Sequence, residues 1–360
     1  MLPPPMIFSQ LLPVFAVSAA CAAALILARR WHIGLTGDVA GSSTHKVHTG
    51  TVPRVGGVAV YAAGLTGLAL MSRTLPDVTA KVIWMMWGCL TIVFVAGLVE
   101  DLTRMVPAAV RYVAALAAAA LFSVAHDSYG ILSIGISPFD QPLNSTIVRV
   151  AFFAFAVASL SHAFNLIDGQ NGLCAGVSVI VFVALGITAD RTGQQTLALL
   201  SYTMTAANLG FLVFNFPSGR LFLGDGGAYF NGAIAAVITV FVVQGSSSVS
   251  PWLALLILVY PVWETLFSMI RRARAQRPFH EADSAHLHHL VADADFARLY
   301  GNGRYVAVPI LLCVAPFALT APLLREQAPA LMAGIALFVG LYCLVYRALD
   351  RGSRRYLTRA

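Results

Sequence analysis

Five groups of residues in this chain have types and spacings that could do chemistry. They are Glu100-Asp101, the run Asn165 to Gly172 containing Asp168, Asn215 followed by Leu223-Gly224-Asp225-Gly226-Gly227, the histidines His286, His288 and His289, and the stretch His45 to Gly57 containing Lys46 and His48. Adjacent carboxylates at a helix end can hold a divalent cation or keep a proton acceptor beside a phosphate. An Asp flanked by glycines lets backbone and ligand approach closely. Backbone N–H groups at a helix start favour anions. A carboxylate there repels a bare phosphate, so that position implies a bridging cation. Magnesium fits, because it takes one or two carboxylates together with phosphate oxygens and water.

Each group also has a plainer reading. Two acids at a helix C-terminus are mildly unfavourable with the macrodipole, which favours function over a solvated end for Glu100-Asp101. Asp168 in its polar turn is equally a candidate helix N-cap. Small-residue helix packing accounts for the glycines around Asp225 but not for the Asp itself. The three clustered histidines stand at offsets 0, 2 and 3, so one helical face cannot present them all. The spacing is not that of a zinc HExxH site, and phosphate binding or proton transfer suits these imidazoles better. His45, Lys46 and His48 suit anionic ligands, with an ordinary positively charged loop as the alternative. Gly56, Gly57, Gly64 and Gly67 read as helix-packing positions.

The elements that must carry these groups are membrane spans. The 360-residue chain is 58% hydrophobic and only 11% charged, whereas soluble domains carry about 25% charged residues. The expectation is an all-α polytopic membrane protein, one transmembrane domain over 1–360, with a long histidine-containing loop at 271–304. About eleven spans of hydrocarbon-crossing length are predicted, near 6–28, 53–72, 82–99, 107–126, 146–164, 172–189, 196–214, 226–245, 251–270, 305–323 and 327–347. The first is too long for the apolar core of a cleaved signal peptide and is expected to remain as a span. Cys21, Cys89, Cys174, Cys313 and Cys343 lie in apolar stretches without pairing or metal spacing and read as small buried residues.

Lys and Arg set the expected orientation. With the N-terminus outside, the inner side holds Arg29, Arg30, Lys46, Arg54, Arg104, Arg111, Arg220, Arg271, Arg272, Arg274, Arg277, Arg298, Arg304 and the tail Arg347 to Arg359, while the outer side keeps Arg73, Lys81, Arg149, Arg191 and Arg325. The C-terminus is then cytoplasmic, and all five groups fall on the cytoplasmic face. Outer acids such as Asp77, Asp127, Asp140 and Asp190 stand singly. The outer stretch Tyr129 to Asn144 suits a short hairpin. The net charge of +7 reads as cytoplasmic loops against anionic lipid rather than as nucleic-acid binding.

Taken together the motifs resemble those of the polyprenyl-phosphate N-acetylhexosamine-1-phosphate transferases. This family includes the bacterial enzymes that start O-antigen and enterobacterial common antigen synthesis and the phospho-MurNAc-pentapeptide translocase of peptidoglycan synthesis. The resemblance runs in the family's motif order: HxGxxPxxGG at His48 to Gly57, the acidic pair Glu100-Asp101, NxxDGxxGL at Asn165 to Leu173, Asn215 with LGDxG around Asp225, and HxHH at His286 to His289. The HLHH and GDGGAY forms look more like the O-antigen and exopolysaccharide branch. Three departures stand out. Glu100 replaces the usual first Asp of the pair, Asn171 replaces a common second Asp, and Ser284 follows Asp283 where an Arg often precedes the histidines.

The resemblance implies transfer of a sugar 1-phosphate from a UDP-N-acetylhexosamine to undecaprenyl phosphate, with release of UMP, to initiate cell-surface polysaccharide synthesis in the bacterial inner membrane. It implies magnesium, with manganese as a substitute. Asp225 and Asp101 are its expected ligands, and Asp101, Glu100, Asp225, His288 and His289 the expected catalytic groups. His45, Lys46, His48, Arg111, Asn165, Asp168, Asn215 and His286 are the expected substrate-binding set. Partners are the two substrates and membrane lipid, with homodimerisation left open and no nucleic acid. The alternatives are the peptidoglycan translocase and, from another class, a transporter or flippase of a lipid-linked sugar. Transport sites lie near the bilayer midplane between repeats, whereas these groups gather at one face and no internal repeat is visible.

Overall fold

In the computed structural model the described residues are 4–39, 51–127, 129–276, 285–294 and 304–357. His45, Lys46 and His48, and also Asp283, lie outside them. The order of elements is α1 (Pro4–Leu27), α2 (Arg29–Thr36), β1 (Gly37–Val39), β2 (Thr51–Pro53), α3 (Gly57–Met71), α4 (Asp77–Thr103), α5 (Ala108–Ala125), α6 (Thr146–Leu166), α7 (Leu173–Arg191), α8 (Gln195–Asn215), α9 (Gly224–Gln244), α10 (Trp252–Ile257), α11 (Val259–Arg274), α12 (Leu287–Asp293), α13 (Ala307–Thr320) and α14 (Ala328–Leu357).

Eight of these helices, α1, α4 to α9 and α14, are long and apolar enough to cross a membrane. Helices α3 and α13 are apolar but shorter. The segment expected as one span over 251–270 is divided at Leu258 into α10 and α11. Pro261 explains the break, since it has no N–H to donate to the Ile257 carbonyl and its ring crowds that oxygen. The stretch from Tyr129 to Asn144, expected on the outer side, contains no strand. It is a turn-rich loop closed by Asp140, whose carboxylate accepts the Ile134 N–H at 2.7 Å and the Ser133 hydroxyl at 2.8 Å. The fold also departs from all-α in a two-stranded antiparallel ribbon, with Gly37 opposite Pro53 and Val39 opposite Thr51. Three residues per strand are too few for a legible alternating pattern.

Helix α9 is the axis of the bundle. It is buried along nearly its whole length, whereas α1 and α14 leave most of their apolar surface outward, as lipid-facing helices do. Helices α3, α4, α6 and α7 surround it. Small residues let the backbones meet: a Cβ on Gly57 would fall 2.3 Å from the Gly227 nitrogen, so α3 and α9 touch main chain to main chain. Higher up, Tyr61, Trp87, Phe94 and Phe230 fill the α3–α4–α9 seam, with Tyr61 stacked on Phe94 at 4.2 Å. Asn208 of α8 and Asn231 of α9 exchange reciprocal amide hydrogen bonds at 2.8 and 3.2 Å, fully buried. This is how membrane helices satisfy interior polar groups. The packing fixes where the first turn of α9 points, and the ionisable residues gather there.

Candidate active site

The N-terminus of α9 presents backbone N–H groups that no preceding turn can satisfy. Two carboxylates from other elements take them. Asp101, in the last turn of α4, accepts the Asp225 N–H through Oδ1 and the Gly226 N–H through Oδ2, both at 2.9 Å. Asp168, in the α6–α7 turn, accepts the Gly224 N–H. Three successive donors are thus held by two anions, whose charge also complements the positive end of the helix dipole. Gly224 is required for the approach. Its φ is +76° and a Cβ there would lie 2.7 Å from Asp101 Oδ2. Asp101 is 1% exposed and both of its oxygens face α9.

Asp225 sits on that first turn and its own side chain turns the other way. Its Oδ1 accepts the Asn165 amide at 3.0 Å, and Oδ2 is paired with the Arg111 guanidinium of α5. The Asp225 side chain is 22% exposed, against 15% for Glu100 and 1% for Asp101. Arg111 lies over the Tyr229 ring at 5.1 Å, and the Tyr229 hydroxyl is 3.0 Å from His162 Nδ1. These aromatic contacts keep the guanidinium in place while it faces the acid.

Glu100 is engaged differently. Its Oε2 accepts the Val106 N–H at 2.7 Å, across the turn into α5. That contact explains a Glu at this position, since the longer side chain spans the turn. The unfavourable placing of two acids at the C-terminus of α4 is offset by Arg54. Its guanidinium donates to the Glu100 carbonyl at 2.9 Å and the Asp101 carbonyl at 3.3 Å, and lies within 3.9 Å of both side-chain carboxylates. A cation at a helix C-terminus is the favourable arrangement.

The remaining residues support the cluster from below and from one side. Asn215 is buried. Its Oδ1 accepts the Gly172 N–H at 2.7 Å and its Nδ2 donates to the Leu221 carbonyl at 2.8 Å, which ties the Asp168 turn to the segment leading into α9. His286, His288 and His289 stand at the start of α12. His288 is 1% exposed and packs on the Asp168-Gly169 turn so closely that a Cβ on Gly169 would lie 2.2 Å from its Nε2. His288 and His289 have ring centroids 4.3 Å apart. His286 Nδ1 points away, to Glu264 Oε1 at 3.1 Å.

The structure therefore gathers Glu100, Asp101, Arg111, Asn165, Asp168, Asp225 and His288 at one end of the bundle, with Asn215 and His286 bonded beneath and beside them. Reading the sequence missed Arg54, Tyr229, His162 and Glu264 as members. Arg54 had a visible signal as a cation inside the glycine motif, and Glu264 as a carboxylate within an expected span. Asp225 and Asp168 offer hard carboxylate oxygens, of which magnesium takes one or two. Among the described residues no group of three or more His, Cys, Asp or Glu is arranged around a metal position. Burial pushes the Asp168 carboxyl up to about 7, against the lowering effect of the Gly224 N–H. A nearby cation would relieve that cost.

This geometry defines a multi-pass helical membrane protein with an acidic and basic site around one helix N-terminus. Residues 83–243 match the model of glycosyl transferase family 4. The chain is 29% identical to a probable undecaprenyl-phosphate N-acetylglucosaminyl 1-phosphate transferase of Bacillus subtilis, over 70% of this chain and 69% of the relative. It is 28% identical to the undecaprenyl-phosphate alpha-N-acetylglucosaminyl 1-phosphate transferase of Yersinia pestis, over 86% and 82%, and 26% identical to that of Escherichia coli K12, over 86% of each. These matches support placing the chain with the polyprenyl-phosphate N-acetylhexosamine-1-phosphate transferases.

Proposed function

We propose that the chain transfers an N-acetylhexosamine 1-phosphate from its UDP ester to undecaprenyl phosphate, starting a cell-surface polysaccharide at the cytoplasmic face of a bacterial inner membrane. The observation that carries this reading is the meeting of Asp101, Asp168 and Asp225 on the first turn of one helix, with Arg54 and Arg111 as countercharges. The acceptor and the sugar phosphate are those that the relatives' names carry. In the reaction an oxygen of the lipid phosphate forms a bond to the β-phosphorus of the donor. The bond from that phosphorus to the bridging oxygen breaks, and UMP leaves with the electron pair.

Phosphoryl transfer is mostly positioning and charge neutralisation. Magnesium, when bound, would supply charge neutralisation at the donor diphosphate. Asp225 would be its main protein ligand, with Asp168 as a second carboxylate, while Asp101 holds the turn that aims Asp225. Arg111 pairs with Asp225 and would exchange that partner for a substrate phosphate when the donor binds. Asn165 and His288 line the donor side. His45, Lys46 and His48 are proposed phosphate contacts from the segment leading into β2.

The same reading takes eleven crossings, counting α3, the kinked pair α10–α11 and α13 with the eight long helices. The N-terminus is then outside and the site inside, and Arg54, Arg104, Arg271, Arg272 and Arg274 lie at the site's end, as the basic-inside rule asks. Membranes carrying the chain, given radiolabelled UDP-GlcNAc and undecaprenyl phosphate, should yield butanol-extractable label that EDTA abolishes. Absence of label with every UDP-N-acetylhexosamine tried would favour transport of a finished lipid-linked sugar. A panel of donors separates GlcNAc from GalNAc and the deoxy-aminosugars, and a UDP-MurNAc-pentapeptide arm tests the peptidoglycan reaction.

A further inference from the structure

The histidine segment reaches the site at the far end of a chain stretch of which 277–284 lie outside the described residues, yet His288 is packed to within contact of the Asp168 turn. Something beside the site must hold it there. The holder is a polar cluster between α11 and α14 that the transfer reaction does not use.

At its centre is Glu264 of α11, 0% exposed. A buried ionised carboxylate is tolerated only with full hydrogen bonding. Glu264 has that bonding, and two of its three partners belong to the histidine segment. Oε1 accepts from His286 Nδ1 at 3.1 Å and from the Leu287 N–H at 3.2 Å, and Oε2 accepts from the Tyr342 hydroxyl of α14 at 2.7 Å. Ser268 Oγ, one turn along α11, is also 3.1 Å from His286 Nδ1. One residue earlier, the Ala285 carbonyl accepts from both Arg271 of α11 and the Tyr346 hydroxyl of α14, and Arg271 in turn reaches Tyr346 at 2.8 Å. Three consecutive residues, Ala285 to Leu287, are thus fixed by side chains from two helices immediately before the turn that presents His288.

We propose that Glu264 is a positioning residue. Through His286 and the Leu287 N–H it sets where His288 stands against Gly169, and through Tyr342 it makes the last helix part of that setting. The proposal rests on the transferase reading for what His288 does, but not for how the segment is held. It also places His286 as an anchor rather than as a phosphate contact. Because a carboxylate only accepts, Glu264 requires the proton of His286 on Nδ1. The His286 ring lies parallel to that of His288, with centroids 5.6 Å apart.

Displacing a group by about 1 Å can cost ~100-fold in rate. Glu264→Leu is therefore expected to lower kcat by about that factor. Glu264→Gln keeps an acceptor for Leu287 and His286 and a donor for the Tyr342 oxygen, so it should recover to within about fivefold of wild type. If Glu264 acts through His288, the losses will not add: with His288→Ala as background, Glu264→Leu should cost less than about twofold more. Additive losses, an unaffected Glu264→Leu or a silent His288→Ala would each overturn the proposal. A second arm reads the segment without the reaction, as the maleimide labelling rate of a cysteine at Ala292 in the full chain. Glu264→Leu should speed labelling about tenfold or more and Glu264→Gln should leave it unchanged; equal rates in all three proteins would overturn the clamp. If the wild type released no UMP from any donor, the transferase reading would fall, and the labelling arm alone would decide the clamp.

Discussion

The two ends of α6 carry loops that solve the same problem with opposite results. At one end Asp140 accepts the Ile134 N–H and the Ser133 hydroxyl, stays at the protein surface, and is held below the usual carboxylate range chiefly by the Ile134 N–H. At the other end Asp168 also accepts a backbone N–H, from Gly224, yet burial drives its carboxyl up to about 7. A hydrogen bond to backbone therefore does not distinguish a loop staple from a working group. What distinguishes them is the company. Asp140 closes its own loop, whereas Asp168 shares the start of α9 with Asp101 and Asp225, which are paired with Arg54, just before α3, and with Arg111 of α5.

The comparison can be broken most sharply at Asp225. Asp225→Asn should lower UMP release by ~1000-fold or more at saturating magnesium, the scale expected when a charge-stabilising group at the reacting phosphate is lost. Asp101→Asn comes next. Its amide nitrogen would confront a backbone N–H of α9, so turnover should drop ~100-fold and the fold should lose about 1–3 kcal/mol, seen as a lower thermal midpoint.

The third test is pH. With Asp168 ionising near 7 in the ligand-free protein, kcat/KM at sub-saturating magnesium should climb by up to ~10-fold per unit up to that pH and then level, and Asp168→Asn should flatten the rise. The sign for stability runs the other way. The folded value lies above the ordinary carboxylate value, so the ligand-free fold is stabilised by this group at low pH and loses that contribution as pH rises through about 7. Thermal midpoints across the range check it. The smallest effect belongs to Asp140→Asn, which should keep turnover within about twofold and lower the midpoint by at most a few degrees.

Much of this was visible in the residues alone. Each apolar stretch read as a span coincides with helix, because hydrocarbon thickness imposes a length that composition reveals. The acidic pair, the Asp168 turn and the Asp225 turn were readable because carboxylates beside hydrocarbon need a reason. What Asp101 does was not readable, since its partners lie 124 and 125 residues away along the chain. Asp168 was weighed as a cap, but the natural assumption was the helix that follows it, whereas it caps α9. Arg54 looked like one more inner-face cation until the fold set it on the last carbonyls of α4. The break at Leu258 carried a signal in Pro261 that an apolar ruler alone passes over. Glu264 sat inside an expected span without neighbours in sequence, and its partners came from 22 to 78 residues further on.

The account rests on a cation-dependent site at the α9 end of the bundle and none at the Asp140 end. The most direct test is the thermal midpoint of detergent-purified protein with UDP-GlcNAc, measured with and without magnesium, for wild type, Asp225→Asn and Asp140→Asn. Ligand held only by the folded state raises the midpoint, so wild type and Asp140→Asn should gain the same several degrees from magnesium while Asp225→Asn gains none. An undiminished magnesium gain in Asp225→Asn would contradict the assignment.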